Sequence, residues 1–162
     1  TNNKMRKEIK RRKVTENRLI DNANKDSLTK VLNRRKIEKV MSKLVKDAKE
    51  NEEVEFSIIF LDIDDFKYIN DTFGHSIGDD ILVKFANIIS ENIRKSDYLA
   101  RWGGEEFIII LPNTNSENAY KLALNLKDLI TSNDFGISKE ITSSFGISQY
   151  CQGDTKTEII SL

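Results

Sequence analysis

The stretch from residue 101 to residue 111 constrains the fold of this chain more than any other. It reads Gly-Gly-Glu-Glu at 103–106, and the apolar run 107–111 follows directly. Such a run is typical of a buried strand, and two glycines allow the positive φ angles of a primed two-residue hairpin turn. Ionised carboxylates beside a buried strand cost free energy unless they are paired or bind a cation. The stretch therefore predicts a hairpin that carries a functional site.

A second acidic cluster lies at the end of another apolar run. Residues 56–61 form a strand-like run, and Asp62, Asp64 and Asp65 follow it. If the two strands pair, Asp62 and Glu105 come close together. Facing carboxylates without His or Cys nearby favour Mg²⁺ over zinc, because Mg²⁺ prefers hard oxygen ligands.

Length and charge limit the classes of protein to which the chain can belong. It has 162 residues, enough for one domain, and a formal net charge of zero, which gives no general attraction to nucleic acid. Residues 1–13 contain seven Lys or Arg and one Glu. The single cysteine, Cys151, excludes an internal disulfide and favours a reducing compartment, so we expect a cytoplasmic domain. Because the first residue is Thr, we expect a piece of a longer protein, whose upstream part can include a membrane segment.

The N-terminal region, residues 1–24, is rich in charged residues and lacks Gly and Pro, which predicts a solvated helix. Two interpretations remain open for it. It is a connector helix from an upstream sensor module, paired in a dimer, or it is a basic, frayed end. We take 1–24 as the connector and 25–162 as the catalytic domain.

Hydrophobic periodicity predicts an alternation of helices and strands along the rest of the chain. Helices are expected around 37–48, 66–73, 78–94 and 114–130, with a capping box from Thr114 to Glu117 at the start of the last. Strands are expected at 56–62, 98–102, 107–111 and 141–150, and a further helix opens at 157–162. The fold class is α/β (α+β), with a palm-like, ferredoxin-related sheet that contains antiparallel strands and is flanked by helices.

These pieces resemble the GGDEF domains of diguanylate cyclases, in the GGEEF form. The resemblance rests on Gly103-Gly104-Glu105-Glu106-Phe107 together with motifs that occur in the family's order. These are Asp26-Ser27-Leu28-Thr29 with Asn33-Arg34-Arg35, Asp62-Ile63-Asp64-Asp65-Phe66-Lys67, Asn70-Asp71, Gly74-His75, Gly78-Asp79 and Thr142-Ser143-Ser144-Phe145-Gly146. The order and spacing make the match specific, whereas five residues alone would be a weak signal.

The resemblance implies condensation of two GTP molecules into cyclic di-GMP with release of pyrophosphate, in a homodimer that faces two nucleotides toward each other. It implies metal binding by the carboxylates of Asp62 and Glu105 and the carbonyl of Ile63, with Mg²⁺ as the ion and Mn²⁺ as an alternative. Glu105 is also the expected base for the attacking hydroxyl. Glu106 binds a second metal, orients the nucleotide or accepts a structural hydrogen bond. The structural alternative for these acidic residues is a capped turn whose carboxylates are solvated.

The substrate contacts that the resemblance implies lie between the two acidic motifs. Asn70 and Asp79 match the guanine-binding pair, and a carboxylate can accept hydrogen bonds from the guanine edge that adenine lacks. Alternatively, Asp79 is a helix-dipole acid and Asn70 a helix C-cap. The phosphates are expected to bind Lys67 and the backbone at Asp65 and Phe66, where a helix N-terminus is a ready anion site. The histidine, His75, is expected to orient a group near the nucleotide.

Arg94 and Asp97 match the family's RxxD motif, which forms an inhibitory site for the product. Arginine suits bidentate recognition of phosphate and guanine. The family continues into a helix with a lysine and an arginine that hold the terminal phosphates, and the given sequence ends before it. We therefore expect a truncated domain that is weak or inactive by itself. The alternative function is a catalytically silent GGDEF domain that binds GTP or cyclic di-GMP.

Overall fold

The computed structural model describes residues 2–150 of the chain. The elements in chain order are helix α1 (Asn2–Asn24), helix α2 (Arg34–Glu50), strand β1 (Phe56–Ile63), helix α3 (Phe66–Phe73), helix α4 (His75–Glu91), strand β2 (Tyr98–Arg101), strand β3 (Glu106–Pro112), helix α5 (Ser116–Ser132) and strand β4 (Ser143–Gln149). The helix expected at 157–162 and Cys151 lie outside the described residues. Within residues 2–150, no helix combines the length and apolar character needed to cross a membrane.

The four strands form one antiparallel sheet in the order β2-β3-β1-β4. β3 lies between β2 and β1, so the chain runs as two interleaved β-α-β units, which is the ferredoxin-like arrangement. The central strands β1 and β3 are apolar along nearly their whole length because helices cover both faces of this part of the sheet. The mixed α/β architecture predicted from the sequence is confirmed.

Side chains of the central strands alternate between two apolar layers. Leu61, Ile63 and Phe107 belong to the layer that packs against α3, α4 and α5. Ile58 and Ile108 belong to the layer under α2. Residues on successive positions of a strand point to opposite faces, so the alternation fixes the register of the sheet. This register determines which acidic residues meet at the end of β1.

Two helix starts differ from the expectation. α4 begins at His75 rather than at residue 78, because Gly74 adopts φ +91° and turns the chain from α3 directly into α4. The predicted capping box at the start of α5 is also wrong, since the Asn115 side chain accepts a hydrogen bond from the Asn118 N–H at 2.9 Å. Thr114 is buried, and its hydroxyl donates to the Pro112 carbonyl at 3.0 Å instead of capping the helix.

Candidate active site

The hairpin between β2 and β3 carries the glutamates. The Trp102 N–H donates to the Glu106 carbonyl at 2.8 Å, and the Glu106 N–H donates to the Gly103 carbonyl at 3.3 Å. Neither Gly103 nor Gly104 has a positive φ, so the predicted primed turn is wrong. The physical reason is loop length. Four residues separate the strands, and the twist match that selects primed turns applies to two-residue loops.

Strand pairing brings the two acidic motifs together. Asp62 is the register partner of Glu106 across β1 and β3, and the Ile63 N–H donates to the Glu105 carbonyl at 3.4 Å. The predicted pairing of these strands is therefore confirmed, with one refinement. Glu106 stands directly opposite Asp62, while Glu105 lies in the turn one residue before β3.

The carboxylates at this junction repel one another. Partial burial raises the pKa of Asp62 above its ordinary value, and the charges of Glu105, Glu106 and Asp64 raise it further. Within residues 2–150, no lysine or arginine forms an ion pair with Asp62, Glu105 or Glu106. A divalent cation would relieve this repulsion. No group of three or more His, Cys, Asp or Glu side chains in this part of the chain is arranged to hold a metal, so main-chain oxygens or substrate oxygens must complete any coordination shell.

The turn after β1 is fixed from the side of β4. The Asp64 carboxylate accepts hydrogen bonds from the Thr142 hydroxyl at 2.7 Å and from the Ser144 hydroxyl at 2.6 Å. The Asp64 N–H also donates to the Thr142 carbonyl at 3.0 Å. The turn therefore cannot shift without breaking bonds to β4. No local sequence pattern indicates these contacts, because they join positions 78 and 80 residues apart in the chain.

The phosphate cradle predicted at the start of α3 has a suitable backbone. Asp65 occupies the N-cap position with φ +56° and makes no side-chain capping hydrogen bond, and the first backbone bond of the helix runs from Ile69 to Asp65. The N–H groups of the first turn thus remain available to an anion. Phe66 is 8% exposed and packs in the core, so only its backbone can face a nucleotide. Lys67 is exposed.

The predicted guanine-binding pair lies where α3 meets α4. A Cβ at Gly78 would lie 1.9 Å from the Asn70 Oδ1, so only glycine permits this close approach. Asp79 follows Gly78 directly and is exposed, as is His75. The C-cap of α3 is Gly74, so the alternative role of Asn70 as a C-cap is wrong. Asp79 also lies beyond the first turn of α4, which weakens its interpretation as a helix-dipole acid.

The RxxD turn is closed by its own residues. The Asp97 carboxylate accepts hydrogen bonds from the Arg94 N–H at 2.8 Å and the Arg94 Nε at 3.3 Å, and its side chain is 1% exposed. Arg94 also donates to the Thr114 hydroxyl at 2.7 Å, and its side chain is 59% exposed. A surface cavity of about 410 Å³ adjoins both residues, with Lys30 and Tyr98 among those that line it. Arg94 is thus the accessible member of the pair.

Arg101 links the glutamate hairpin to the turn at residues 26–29, the entry turn, and sequence reasoning missed this connection. Its Nε and one terminal nitrogen donate to the Gly104 carbonyl at 3.0 and 2.8 Å, and its other terminal nitrogen lies 3.3 Å from the Asp26 carboxylate. Asp26 in turn accepts from the N–H and the hydroxyl of Thr29, both at 2.8 Å. An arginine beside a glycine-rich turn was the available signal, but nothing local identifies its distant acidic partner.

Helix α2 and the end of α1 also contact this region. The Arg34 guanidinium stacks 4.3 Å from the centroid of the Trp102 ring, next to the glycines. The Asn33 side chain donates to the Ala23 carbonyl at 3.1 Å, near the last residue of α1. Residues 26–34 therefore connect the N-terminal helix, the hairpin and α2.

The chain matches a family model described as diguanylate cyclase, GGDEF domain, over residues 23–162. It is 36% identical over 141 residues to the response regulator PleD of Caulobacter vibrioides, which covers 83% of this chain and 31% of that protein. It is 37% identical over 105 residues to the diguanylate cyclase DosC of Escherichia coli, which covers 65% of this chain and 23% of that protein.

Among solved structures, the chain is similar to the GGDEF domain of DgcB from Caulobacter crescentus in complex with c-di-GMP. The TM-score is 0.80 with 27% sequence identity, over 86% of this chain and 82% of that one. The chain spans about a third or less of the length of the two relatives named above. The family match covers the acidic hairpin, the turn after β1 and the RxxD turn, and α1 lies almost wholly outside it. The chain therefore belongs to the GGDEF domain family of diguanylate cyclases.

Proposed function

We propose that this chain is the catalytic domain of a diguanylate cyclase, which condenses two GTP molecules into cyclic di-GMP and pyrophosphate. The observation that carries the proposal is the junction of β1 and β3. There, Asp62, Glu105 and Glu106 meet without a protein cation among residues 2–150. Such an arrangement is unfavourable in the free protein and becomes favourable with a divalent cation and an anionic substrate.

The residues present fit a magnesium ion. Asp62 and Glu105 would hold it with the carbonyl oxygen of Ile63, all of them hard oxygen ligands, and Mn²⁺ would suit the same set. The metal would neutralise charge on the phosphates and lower the barrier to attack at the α-phosphate. The predicted ligand positions are close in the fold because β1 and β3 pair and the Ile63 N–H bonds the Glu105 carbonyl.

The other predicted site residues would position the nucleotides and transfer a proton. The N–H groups at the start of α3, with Lys67, would hold the phosphates, and Asn70 with Asp79 would select guanine. Glu105 would take the proton from the 3′-hydroxyl of the second nucleotide, and Glu106 would orient the substrate. A second copy of the domain would supply the second GTP, and holding the two triphosphates in line would convert a bimolecular reaction into an effectively unimolecular one.

The homodimer and its control belong to the same proposal. α1 would act as the connector that brings two domains together, under an upstream sensor or transmembrane module in the parent protein. All its larger apolar side chains are exposed, namely Met5, Ile9, Val14, Leu19 and Ile20. Exposed apolar side chains are unfavourable on an isolated helix and favourable between paired helices. No interaction with nucleic acid is expected.

Product inhibition would act at the RxxD turn. Arg94 is exposed beside the cavity of about 410 Å³ and presents a guanidinium that suits a phosphate or a guanine edge. Asp97 holds Arg94 in place through its bonds to the Arg94 backbone and side chain. Acceptance of a guanine hydrogen bond by Asp97, as the resemblance implies, would require this turn to open, because the Asp97 side chain is buried.

The decisive experiment is incubation of the full-length parent with GTP and Mg²⁺, followed by separation of the nucleotides, whereas this chain alone is expected to be weak or inactive. Cyclic di-GMP and pyrophosphate in a ratio of one to two are expected, with none after addition of EDTA. ATP in place of GTP should give no cyclic product. GTP binding without product from the full-length dimer would favour the silent binding module instead.

A further inference from the structure

The segment between α5 and β4 contributes a lysine to the β1–α3 turn. Lys139 lies in this segment, and its Nζ is 3.1 Å from the Asp65 carboxylate. Within residues 2–150, Lys139 is the only lysine or arginine that forms an ion pair with an acid of this turn or of the glutamate hairpin. Neither its position in the chain nor its neighbours in the sequence pointed to this contact.

Lys139 differs from an ordinary surface ion pair. Its side chain is 33% exposed and its Nζ also lies 5.6 Å from the centroid of the Tyr68 ring. In the Lys121–Glu117 pair on α5, by contrast, the two side chains are 66% and 75% exposed. A lysine stem that packs against protein while its ammonium group faces an acidic turn is held in one place, so less freedom is lost when it binds an anion.

The segment is also anchored close to Lys139. Thr142 follows it by three residues and bonds Asp64 through its hydroxyl and its carbonyl. Ser144 donates to the same carboxylate at 2.6 Å. The backbone of the segment is therefore anchored to the turn before α3 at a point three residues from Lys139.

The charge balance at this turn gives Lys139 a function. Asp65 places a carboxylate at the N-cap of α3, beside the N–H groups that are available to an anion. A polyphosphate that approached these N–H groups would be repelled by Asp65 unless a cation stood between them. Lys139, whose Nζ lies 3.1 Å from the Asp65 carboxylate, can supply this cation, and its three donors allow it to bond Asp65 and a phosphate oxygen at once.

We propose that Lys139 is a nucleotide-binding residue of this chain, whose ammonium group contacts the terminal phosphates of the bound triphosphate while Asp65 holds it at the start of α3. The inference rests on the proposed function, since it assigns a further contact to the same nucleotide. It predicts that Lys139 distinguishes ligands by the number of their phosphates and contributes little to recognition of the base.

The test compares binding of a non-hydrolysable GTP analogue and of GMP, each with Mg²⁺, by calorimetry on the full chain. Lys139→Gln should raise the Kd of the analogue about tenfold, the effect of one charge-assisted contact, and the Kd of GMP less than about twofold. Lys139→Arg keeps the charge and should lie between Lys139→Gln and the wild type. Lys121→Gln is the matched control and should bind both ligands like the wild type.

A second variant separates direct contact from mere screening of Asp65. Asp65→Asn frees Lys139 and removes a repulsive charge, so it should bind the analogue at least as tightly as the wild type. Lys139→Gln should still weaken binding in the Asp65→Asn background. Equal affinity of the double variant and the Asp65→Asn single variant would overturn the inference, because Lys139 would then only screen Asp65. An equal loss for GMP and the analogue on Lys139→Gln, or no loss at all, would overturn it as well. Absence of any GTP binding by the wild-type chain would instead refute the proposed function and the inference together. Thermal melting of each variant shows that it is folded.

Discussion

Two acidic regions of this molecule place their carboxylates in opposite electrostatic environments. At the entry turn, Asp26 receives hydrogen bonds from Thr29 and faces the guanidinium of Arg101. At the end of β1, Asp62 faces Glu105 and Glu106 and has no basic partner among residues 2–150. The first region is electrostatically complete within the protein, whereas the second has no compensating cation among residues 2–150.

The comparison distinguishes carboxylates that stabilise the fold from carboxylates that remain available to a ligand. A carboxylate with its own arginine and hydrogen-bond donors stabilises the fold, because its charge is compensated. A carboxylate surrounded by like charges lowers the stability of the fold, and a bound cation can offset this loss. The two regions are connected, since Arg101 bonds both Asp26 and the carbonyl of Gly104 in the glutamate hairpin.

The largest effect is expected at the incomplete region. Asp62→Asn should lower cyclase activity at least about a hundredfold, since changes even one shell away from a metal reach that size. The same change removes repulsion with Glu105 and Glu106, so thermal melting in EDTA should show equal or higher stability. Activity assays over a range of Mg²⁺ concentrations and melting curves check both parts.

Asp128→Asn on the exposed face of α5 is the matched control for charge and should leave both quantities unchanged. An Asp62→Asn variant with wild-type activity would break the comparison, because the region would then need no cation. A variant with lower stability in EDTA would contradict the repulsion that raises the pKa of Asp62.

The opposite result is expected at the complete region. Arg101→Ala removes two hydrogen bonds to Gly104 and the ion pair with Asp26, and the side chain is only 19% exposed. We expect the free energy of unfolding to fall by about 2 kcal/mol, as for the loss of a hydrogen-bonded charged group. Urea denaturation followed by circular dichroism measures it.

A lysine cannot replace this arginine, because one ammonium group does not reproduce the fork that bonds both partners. Arg101→Lys should therefore recover less than half of the loss. Lys121→Ala, which removes the exposed pair with Glu117, should cost at most about 0.5 kcal/mol. Equal losses for the Arg101 and Lys121 variants would show that the entry turn is no more than a surface contact.

The RxxD turn combines the two behaviours, since its acid is internally paired and its arginine is exposed. Arg94→Ala should raise the inhibition constant of cyclic di-GMP about tenfold, because a charge-assisted contact to the product is lost. Inhibition curves at fixed GTP measure it. Ser96 is an exposed residue in the same turn, so the Ser96→Ala variant should have the same inhibition constant for cyclic di-GMP as the wild type. An unchanged constant for Arg94→Ala would remove the proposed inhibitory site.

The sequence predicted the architecture because periodicity reports on burial. The apolar runs 56–61 and 107–111 are strands at the centre of the sheet, and the acidic residues that follow or precede them meet as expected. What it could not predict is conformation set by distant contacts or by loop length. The glycine pair suggested a primed turn, but the four-residue loop adopts another geometry.

Site residues divide along the same line. The sequence predicts Asp62 and Glu105 as metal ligands because they interrupt a local pattern at strand ends. Sequence patterns do not predict the contacts of Arg101 and Lys139, because their partners, Asp26 and Asp65, lie 75 and 74 positions away in the chain. A cation on a loop carries no local signal of this kind, since lysine and arginine are common on any surface.

The smallest effect is a difference in pH dependence. Partial burial raises the pKa of Asp26, but the hydrogen bonds from Thr29 and the charge of Arg101 outweigh it, so its pKa lies below the ordinary 3.8. Asp26 thus stabilises the fold above pH 3.8, and the contribution is lost as the pH falls through the lowered pKa. The pKa of Asp62 is raised, so in EDTA its ionised form destabilises the fold at neutral pH, and this penalty fades as the pH falls toward 3.8.

Asp26→Asn and Asp62→Asn, measured by urea denaturation in EDTA from neutral pH to below 3.8, separate the two groups. Between neutral pH and 3.8, the stability gap between wild type and Asp62→Asn should narrow while the gap for Asp26→Asn stays constant. Below 3.8, only the Asp26 gap should close. Saturating Mg²⁺ should reverse the sign of the Asp62 gap, because the ion favours the charged carboxylate. If the stability difference between wild type and Asp62→Asn depended on neither pH nor Mg²⁺, the neighbours of Asp62 would exert no repulsion on it. The two regions would then differ in sequence but not in electrostatics.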